Sequence, residues 1–110
     1  MKRTKVFLCG AYLQLPTDDV REKFARAEKQ VQSIDCEPVN PLNNGLQPTA
    51  TFTQHLLASI ELLCDCDAIY LMTDWQSATC SRIEHFVANE MGLEMLKQPE
   101  YMGLVEMQHY

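Results

Sequence analysis

Residues 68–72 read Ala-Ile-Tyr-Leu-Met, a nearly uniform apolar run that ends at Thr73 and Asp74. A strand that is apolar along its whole length is typical of a parallel sheet with both faces covered. We therefore predict a central parallel strand here, followed by a loop over residues 73–79. The other segments can be placed around this strand.

Outside this run, the chain alternates between strand-like and helix-like segments. Residues 6–9 read Val-Phe-Leu-Cys and stop at Gly10, which predicts a second buried strand. Residues 36–39 predict a short strand, and the proline at position 38 favours a sheet edge. A last strand is expected within residues 92–96.

The segments between these strands have apolar residues at helical spacing. Thr17 is a candidate N-cap for the first helix, and Thr51 with Gln54 matches a capping box for the second. Gly92 marks the end of the third helix. The residues that mark the three helices are Val20, Phe24, Ala27 and Val31; Leu56, Ile60 and Leu63; and Ile83, Phe86, Val87, Glu90 and Met91.

This alternation predicts the α/β class, with a short parallel sheet of about four strands and helices on both faces, giving three layers. The chain has no repeat or linker-like segment, so residues 1–110 are interpreted as a single domain. Its core is expected over about residues 4–96. The tail at 97–110 is expected to pack on the core or on a second subunit.

Strand order then predicts where a ligand binds. In the commonest order for so short a chain, the second strand lies outside the first, and the third lies on its other side. The winding direction reverses between strands one and three, and ligands bind beyond the carboxyl ends of the strands at that reversal. Those ends are residues 10–12 and 73–75, so we expect the ligand in a cleft between Gly10 and Glu84.

Charge and composition exclude several classes of function. The formal net charge is −6, and seven of the nine Lys and Arg residues lie within residues 1–29. Most of the chain would repel a phosphate backbone, so no nucleic-acid duplex is an expected partner. No stretch approaches the roughly 20 apolar residues of a membrane helix. The basic start at residues 1–5 leads into a strand rather than a signal peptide, so a cytoplasmic protein is expected.

The five cysteines are interpreted as reduced thiols, because their count is odd and no export signal accompanies them. Cys64 and Cys66 are the one close pair, and no further ligands stand at the spacing of a zinc site. We therefore expect no metal. The chain also lacks GxGxxG and GxxxxGK[ST], which disfavours the dinucleotide and nucleoside-triphosphate folds that use them.

Glu84 is the candidate catalytic residue. It stands near the start of the third helix, after the loop that faces the cleft, and helix amides there would keep its carboxylate ionised. An ionised carboxylate suits a nucleophile better than a general acid. The structural alternative is a capping box, in which Ser81 caps the helix and Glu84 reaches back to its amide.

Candidate ligand-binding residues surround the same two strand ends. Each also has a structural interpretation: a glycine suits an ordinary turn, an aspartate suits a loop, and a lone loop tryptophan suits a packing lid. Arg82 cannot point the same way as Glu84, since residues two apart on a helix differ by about 200°. Helix amides and serine hydroxyls would then hold any phosphate. The candidates are Gly10, Ala11, Tyr12, Asp74, Trp75, Ser77 and Ser81.

Three features together resemble one family. Residues 7–12 read Phe-Leu-Cys-Gly-Ala-Tyr, residues 66–70 read Cys-Asp-Ala-Ile-Tyr, and Trp75 is followed nine positions later by Glu84. Over about residues 4–96 this pattern resembles the nucleoside 2-deoxyribosyltransferase superfamily, above all its short phage and bacterial members. The resemblance implies a flavodoxin-like (Rossmann-like) fold and cleavage of the N-glycosidic bond of a deoxynucleoside or its monophosphate, without a cofactor.

The resemblance also implies roles for individual residues. In that family a glutamate attacks the anomeric carbon of the sugar, and Glu84 falls on its position. Tyr12 and Trp75 would line the base, and Ser77 and Ser81 would lie near the sugar or the phosphate. A homodimer is the expected assembly.

Four positions depart from the family pattern. Phe7 replaces a usual tyrosine, Ser59 a usual aspartate, and Ala78 and Cys80 a usual serine and glycine. In the family, the residues at these positions orient the nucleophile, protonate the base or bind a phosphate. Their replacement keeps an alternative open, namely a catalytically degenerate nucleotide-binding or protein-interaction module of phage origin.

Overall fold

A computed structural model describes residues 3–12, 17–47 and 49–99 of the chain. Its strands are β1 (Lys5–Cys9), β2 (Glu37–Val39), β3 (Ala68–Leu71) and β4 (Glu94–Lys97), and its α-helices are α1 (Asp18–Ser33), α2 (Phe52–Cys64) and α3 (Thr79–Glu90). Two short 3-10 turns, Pro41–Asn43 and Trp75–Ser77, lie in the connections.

The four strands form one parallel sheet in the order β2-β1-β3-β4. β1 pairs with β3 from Val6 opposite Ala68 to Cys9 opposite Leu71. The predicted α/β class, the four-stranded parallel sheet and its edge strand β2 are confirmed. The winding direction reverses between β1 and β3, as expected, so the carboxyl ends of these two strands mark the switch point of the sheet.

Alternating side chains of the two central strands supply two cores, one on each face of the sheet. Val6 and Leu8 of β1 pack with Phe24 and Val31 of α1. Phe7 and Cys9 point to the opposite face, which α2 and α3 cover. This double coverage is why both central strands are apolar along their length.

Two of the three predicted helix starts are confirmed. The Thr17 hydroxyl accepts a hydrogen bond from the amide of Val20 at 3.2 Å. Thr51 and Gln54 form the reciprocal capping box, with distances of 3.1 Å and 2.8 Å. These contacts satisfy amides that have no partner inside the helix, so they fix where α1 and α2 begin.

The third predicted start is wrong. Helix α3 begins at Thr79, its N-cap is Ala78, and no side chain caps it. Ser81 therefore lies inside the first turn, and the predicted capping box between Ser81 and Glu84 does not form. Because the helix begins three residues earlier than that capping box requires, Glu84 lies in its second turn, where its side chain is buried.

The buried face of α3 is formed by small and polar side chains rather than by its large apolar ones. Phe86 is 61% exposed and Met91 is 45% exposed. Glycine 92, at a φ of 72°, follows the helix end as predicted. The residues that α3 buries are Cys80, Ser81, Glu84 and Ala88.

The last strand lies slightly later than predicted, since β4 ends at Lys97, which pairs with Leu71. The predicted packing of the tail falls mostly on residues 100–110, which lie outside the described residues. Among the residues that are described, no helix has the length and apolar content needed to cross a membrane.

Candidate functional site

A cavity of about 280 Å³ opens beside the switch point, on the side of the sheet that carries α2 and α3. We call it the α2–α3 cavity. Its walls are formed by the segment directly after β1, by the first half of α2 and by the segment that leads into α3. The lining residues are Tyr12, Phe52, His55, Leu56, Ser77, Ala78, Thr79 and Cys80.

Glu84 lies behind this cavity rather than on its surface, because the residue is only 1% exposed. Its charge would act on both Tyr12 and Cys80, and both of these residues line the cavity. Glu84 therefore lies close to two residues that line the cavity without lining it itself.

Burial raises the pKa of Glu84 to about 8, although the Cys9 thiol and the Ser59 hydroxyl act in the opposite direction. Glu84 is therefore mostly protonated at neutral pH in this structure. This direction is opposite to the prediction that helix amides keep Glu84 ionised, because the side chain is buried in the protein interior, where desolvation outweighs the helix end. The Glu84 charge, together with burial, also raises the pKa of the Cys9 thiol.

Three buried polar atoms around the cavity have no hydrogen-bond partner among the described residues. They are Oε2 of Glu84, Oγ of Ser59 and Nε2 of His55. The Ser59 hydroxyl lies close enough to Glu84 and Tyr12 to lower their pKa values, but no hydrogen bond of good geometry joins it to either side chain. His55 and Ser59 are one turn apart on α2, so they lie on the same side of that helix. Because an unsatisfied buried polar group costs about 1–3 kcal/mol, such a group of atoms in one place is typical of a ligand site.

Two predicted binding residues, Gly10 and Ser81, instead join the end of β1 to α3. The Ser81 hydroxyl donates to the Gly10 carbonyl at 2.8 Å, and Ser81 is fully buried. A Cβ atom at position 10 would lie 2.5 Å from Sδ of Met72. A side chain at position 10 would therefore force the buried Met72 side chain to shift, and neither Gly10 nor Ser81 lines the α2–α3 cavity.

Replacing Ser81 by alanine should destabilise the protein by about 1–3 kcal/mol, because the buried Gly10 carbonyl loses its donor. Ser77→Ala is the matched control, since it removes a serine-to-carbonyl bond of 2.7 Å that is exposed. The control should cost about 0.5 kcal/mol or less. Urea denaturation measures both, and equal losses would show that the buried bond has no special weight.

Asp74 and Ala11, also predicted as binding residues, are held to each other. The Ala11 amide donates to Oδ1 of Asp74 at 3.1 Å, and Lys23 of α1 lies 2.6 Å from Oδ2. The Lys23 ammonium also donates to the Ala11 carbonyl. This cluster ties together α1 and the segments after β1 and β3. Lys23 gave no signal in the sequence, because its partners lie 12 and 51 positions away.

The structure separates Tyr12 from Trp75, which were expected to line one base site. Trp75 stacks on His85 with ring centroids 4.2 Å apart and lines a different cavity of about 370 Å³. Ser77 does line the α2–α3 cavity, and its hydroxyl donates to the Asp74 carbonyl. Among the predicted binding residues, the structure therefore brings Tyr12 and Ser77 together at this cavity.

Arg82 is exposed and points away from the buried Glu84, as the helical geometry predicts. Its guanidinium donates to the Gln76 carbonyl at 2.7 Å and to the Thr79 hydroxyl at 3.1 Å. Arg82 therefore holds the segment that leads into α3.

The sequence did not identify His55 as part of this site. Ser59 was interpreted only as the replacement of an aspartate that the resembled family usually has. Ser59 lies four positions before the buried Leu63, and His55 lies eight positions before it. Both polar side chains are therefore on the same face of α2 as Leu63. Polar residues on a buried helical stripe were the available signal. The described residues contain no group of three His, Cys, Asp or Glu side chains that could hold a metal ion.

Comparison with solved structures shows a likeness of fold. The fold is similar to a solved 2-desoxiribosyltransferase from Leishmania mexicana, with a TM-score of 0.64 and 16% sequence identity. The match covers 86% of this chain and 63% of that chain, so this chain spans less than two thirds of its neighbour. At this identity the likeness shows a shared fold. No curated protein matches the sequence.

A family model gives the wider assignment. The model described as "Domain of unknown function (DUF4406)" matches residues 4–97, which include all seven helices and strands of the described fold. Since this match spans most of the sequence, the chain belongs to the DUF4406 family.

Proposed function

We propose that this protein cleaves or transfers the N-glycosidic bond of a deoxynucleoside or deoxynucleoside monophosphate, with Glu84 as the nucleophile. The observation that carries the proposal is the buried Glu84 carboxyl, whose Oε2 has no partner in the described part of the chain. It lies behind a cavity at the switch point of the sheet, where such folds bind ligands. The shared fold with a 2-desoxiribosyltransferase supports the same chemistry.

The proposed step begins with a Glu84 carboxylate oxygen attacking C1′ of the sugar. The bond between C1′ and the base nitrogen breaks, and its electron pair leaves with the base. A glycosyl ester on Glu84 results, and water or a second base then attacks C1′ and frees the carboxylate. The departing base takes a proton from water, and the acceptor gives up a proton when it attacks C1′, so the two steps balance.

The cavity walls suggest how such a substrate lies. Tyr12, Phe52 and Leu56 offer apolar surface for a planar base. In the segment that leads into α3, Ser77 and Thr79 offer hydroxyls, and α3 begins without a side-chain cap. Its first amides are therefore available to a sugar oxygen or a phosphate.

Access to Glu84 requires a local movement. Because Glu84 is only 1% exposed, side chains around it must shift before a sugar reaches it. Tyr12 and Cys80 are the residues we expect to move, since both line the cavity and both are close enough to Glu84 to be affected by its charge. Cys80 also occupies a position where the resembled family has glycine. Its side chain narrows the approach to the first turn of α3.

The second candidate function is binding without chemistry. The observation that favours it is the raised pKa of Glu84, because a carboxyl that is mostly protonated at neutral pH is a poor nucleophile. Ser59 supplies a hydroxyl beside Glu84 where the resembled family has a carboxylate. A protonated Glu84 would instead donate a hydrogen bond to a neutral ligand.

Incubation with the four deoxynucleosides and their 5′-monophosphates separates the two functions. We expect free base from at least one substrate, detected by chromatography. No base release across the panel would overturn the proposed catalysis. Thermal shifts with the same panel then test binding, since a ligand at 100 times its Kd adds about 2.7 kcal/mol to stability.

A homodimer and a cytoplasmic location are part of the same proposal. Leu57 on α2 and Phe86 on α3 are 62% and 61% exposed, so both helices offer apolar surface to a second copy.

A further inference from the structure

The hydrogen bonds around His55 fix which of its ring nitrogens carries the hydrogen. The Leu46 amide donates to Oδ1 of Asn44 at 2.9 Å, which identifies the oxygen of that side-chain amide. The Asn44 nitrogen Nδ2 therefore faces Nδ1 of His55, also at 2.9 Å. Because an amide nitrogen only donates, Nδ1 must accept, and the hydrogen of the neutral ring lies on Nε2.

This Nε2–H group is a donor without an acceptor. The atom is buried and has no partner among the residues that the structure describes. His55 nevertheless forms part of the wall of the α2–α3 cavity, one helical turn before Ser59. A buried donor held in one orientation by Asn44 and left unpaired is typical of a group that a ligand completes.

We propose that His55 Nε2–H donates a hydrogen bond to the leaving nucleobase. The proposal rests on the proposed function and adds a residue to it. The apolar lining residues Tyr12, Phe52 and Leu56 suit the base, and the last two lie within one turn of His55 on α2. The hydroxyls of Ser77 and Thr79 belong to a different wall, the segment that leads into α3. The acceptor is a base nitrogen or carbonyl oxygen on which charge builds as the glycosidic bond breaks.

The hydrogen bond strengthens during the reaction. As the bond to C1′ breaks, its electron pair moves onto the base, and negative charge accumulates at the acceptor atom. A fixed donor therefore stabilises the transition state more than the bound substrate. His55 keeps its hydrogen throughout, and the departing base takes a proton from water. This donor compensates in part for the carboxylate that Ser59 replaces.

The test compares two leaving groups in wild type and in His55→Leu, which removes the donor and keeps an apolar volume. One substrate is the deoxynucleoside that wild type cleaves fastest. The other is its counterpart with a base that leaves more easily, an N7-methylated purine or a 5-fluorinated pyrimidine. We expect kcat for the first to fall by about 10²-fold and kcat for the second to fall by less than about 10-fold, because less charge then needs stabilising. His85→Leu, on α3 and outside the cavity, is the matched control.

A second measurement does not depend on the folding of that variant. The ¹⁵N shifts of the His55 ring in the wild-type protein should show the hydrogen on Nε2. In Asn44→Ala the other tautomer should become populated, and kcat for the ordinary deoxynucleoside should fall.

Each outcome decides one of the two proposals. Three results would overturn the role of His55 and leave the proposed function standing. They are an equal loss of kcat on both substrates in His55→Leu, no loss of kcat on either substrate, and a ring hydrogen on Nδ1 in the wild-type protein. Absence of base release by wild type from either substrate would overturn the proposed function, and the role of His55 with it.

Discussion

Replacing Glu84 by glutamine is expected to lower kcat for base release by at least about 10³-fold, as removal of a nucleophile does in other covalent enzymes. The amide has nearly the same shape as the carboxyl, so the buried site keeps its packing. It has no oxygen able to form a glycosyl ester that water then cleaves. Intact-mass measurement of wild type trapped during turnover should show a deoxyribosyl adduct that Glu84→Gln lacks.

Glu90→Gln is the matched control, because it makes the same change on an exposed face of α3. It should keep wild-type activity and the adduct. The wild-type rate should also rise with pH until about pH 8, since the attacking form is the carboxylate. Base release that persists in Glu84→Gln would show that another group, or water, attacks the sugar.

The fold could be predicted from the sequence because its signals are local. The apolar run at 68–72 contains a strand covered on both faces, and Thr17 and Thr51 satisfy helix amides within their own first turns. The strand order followed from the alternation of elements and placed the switch point correctly. The signals for the individual helices and strands depend on residues only a few positions apart, and the strand order is the commonest one for this alternation of elements.

The site was predicted less completely because its properties depend on distant residues. The protonation of Glu84 follows from its burial in the folded protein, and the groups that act against it, Cys9 and Ser59, are 75 and 25 positions away in the chain. Ser81 matched a capping box in sequence, yet its hydroxyl bonds to Gly10, 71 positions away. Pairwise spacing along α3 could not show that the helix begins at Thr79.

Trp75 shows the same difficulty from the opposite direction. It follows a strand at the switch point, so its position in the sequence suits a ligand site. Its ring instead stacks on His85 of α3, and both residues line a separate cavity beside β4. An aromatic residue in a loop can turn to either side of its strand, and packing partners decide which.

The stability of the protein should fall as pH rises from about 4.5 to about 8. The pKa of Glu84 rises from its ordinary 4.5 to about 8 in the folded protein, so the folded state binds more protons than the unfolded state across this window. Stability is then greatest below the unfolded pKa and decreases until the folded pKa is passed. Linkage gives a loss of about 5 kcal/mol at most from this residue.

Urea denaturation of wild type and Glu84→Gln at pH 5, 6, 7, 8 and 9 measures this contribution. Glutamine cannot ionise, so the variant does not lose stability through this residue as the pH rises. The free energy of unfolding of wild type should therefore fall relative to that of Glu84→Gln between about pH 4.5 and about pH 8. Glu90→Gln should follow the wild-type curve. The buried thiols and Tyr12, whose pKa values are also raised, add their own pH dependence only near and above pH 9. Parallel curves for wild type and Glu84→Gln would mean that the carboxyl at position 84 is ionised in the folded protein, as the sequence alone predicted.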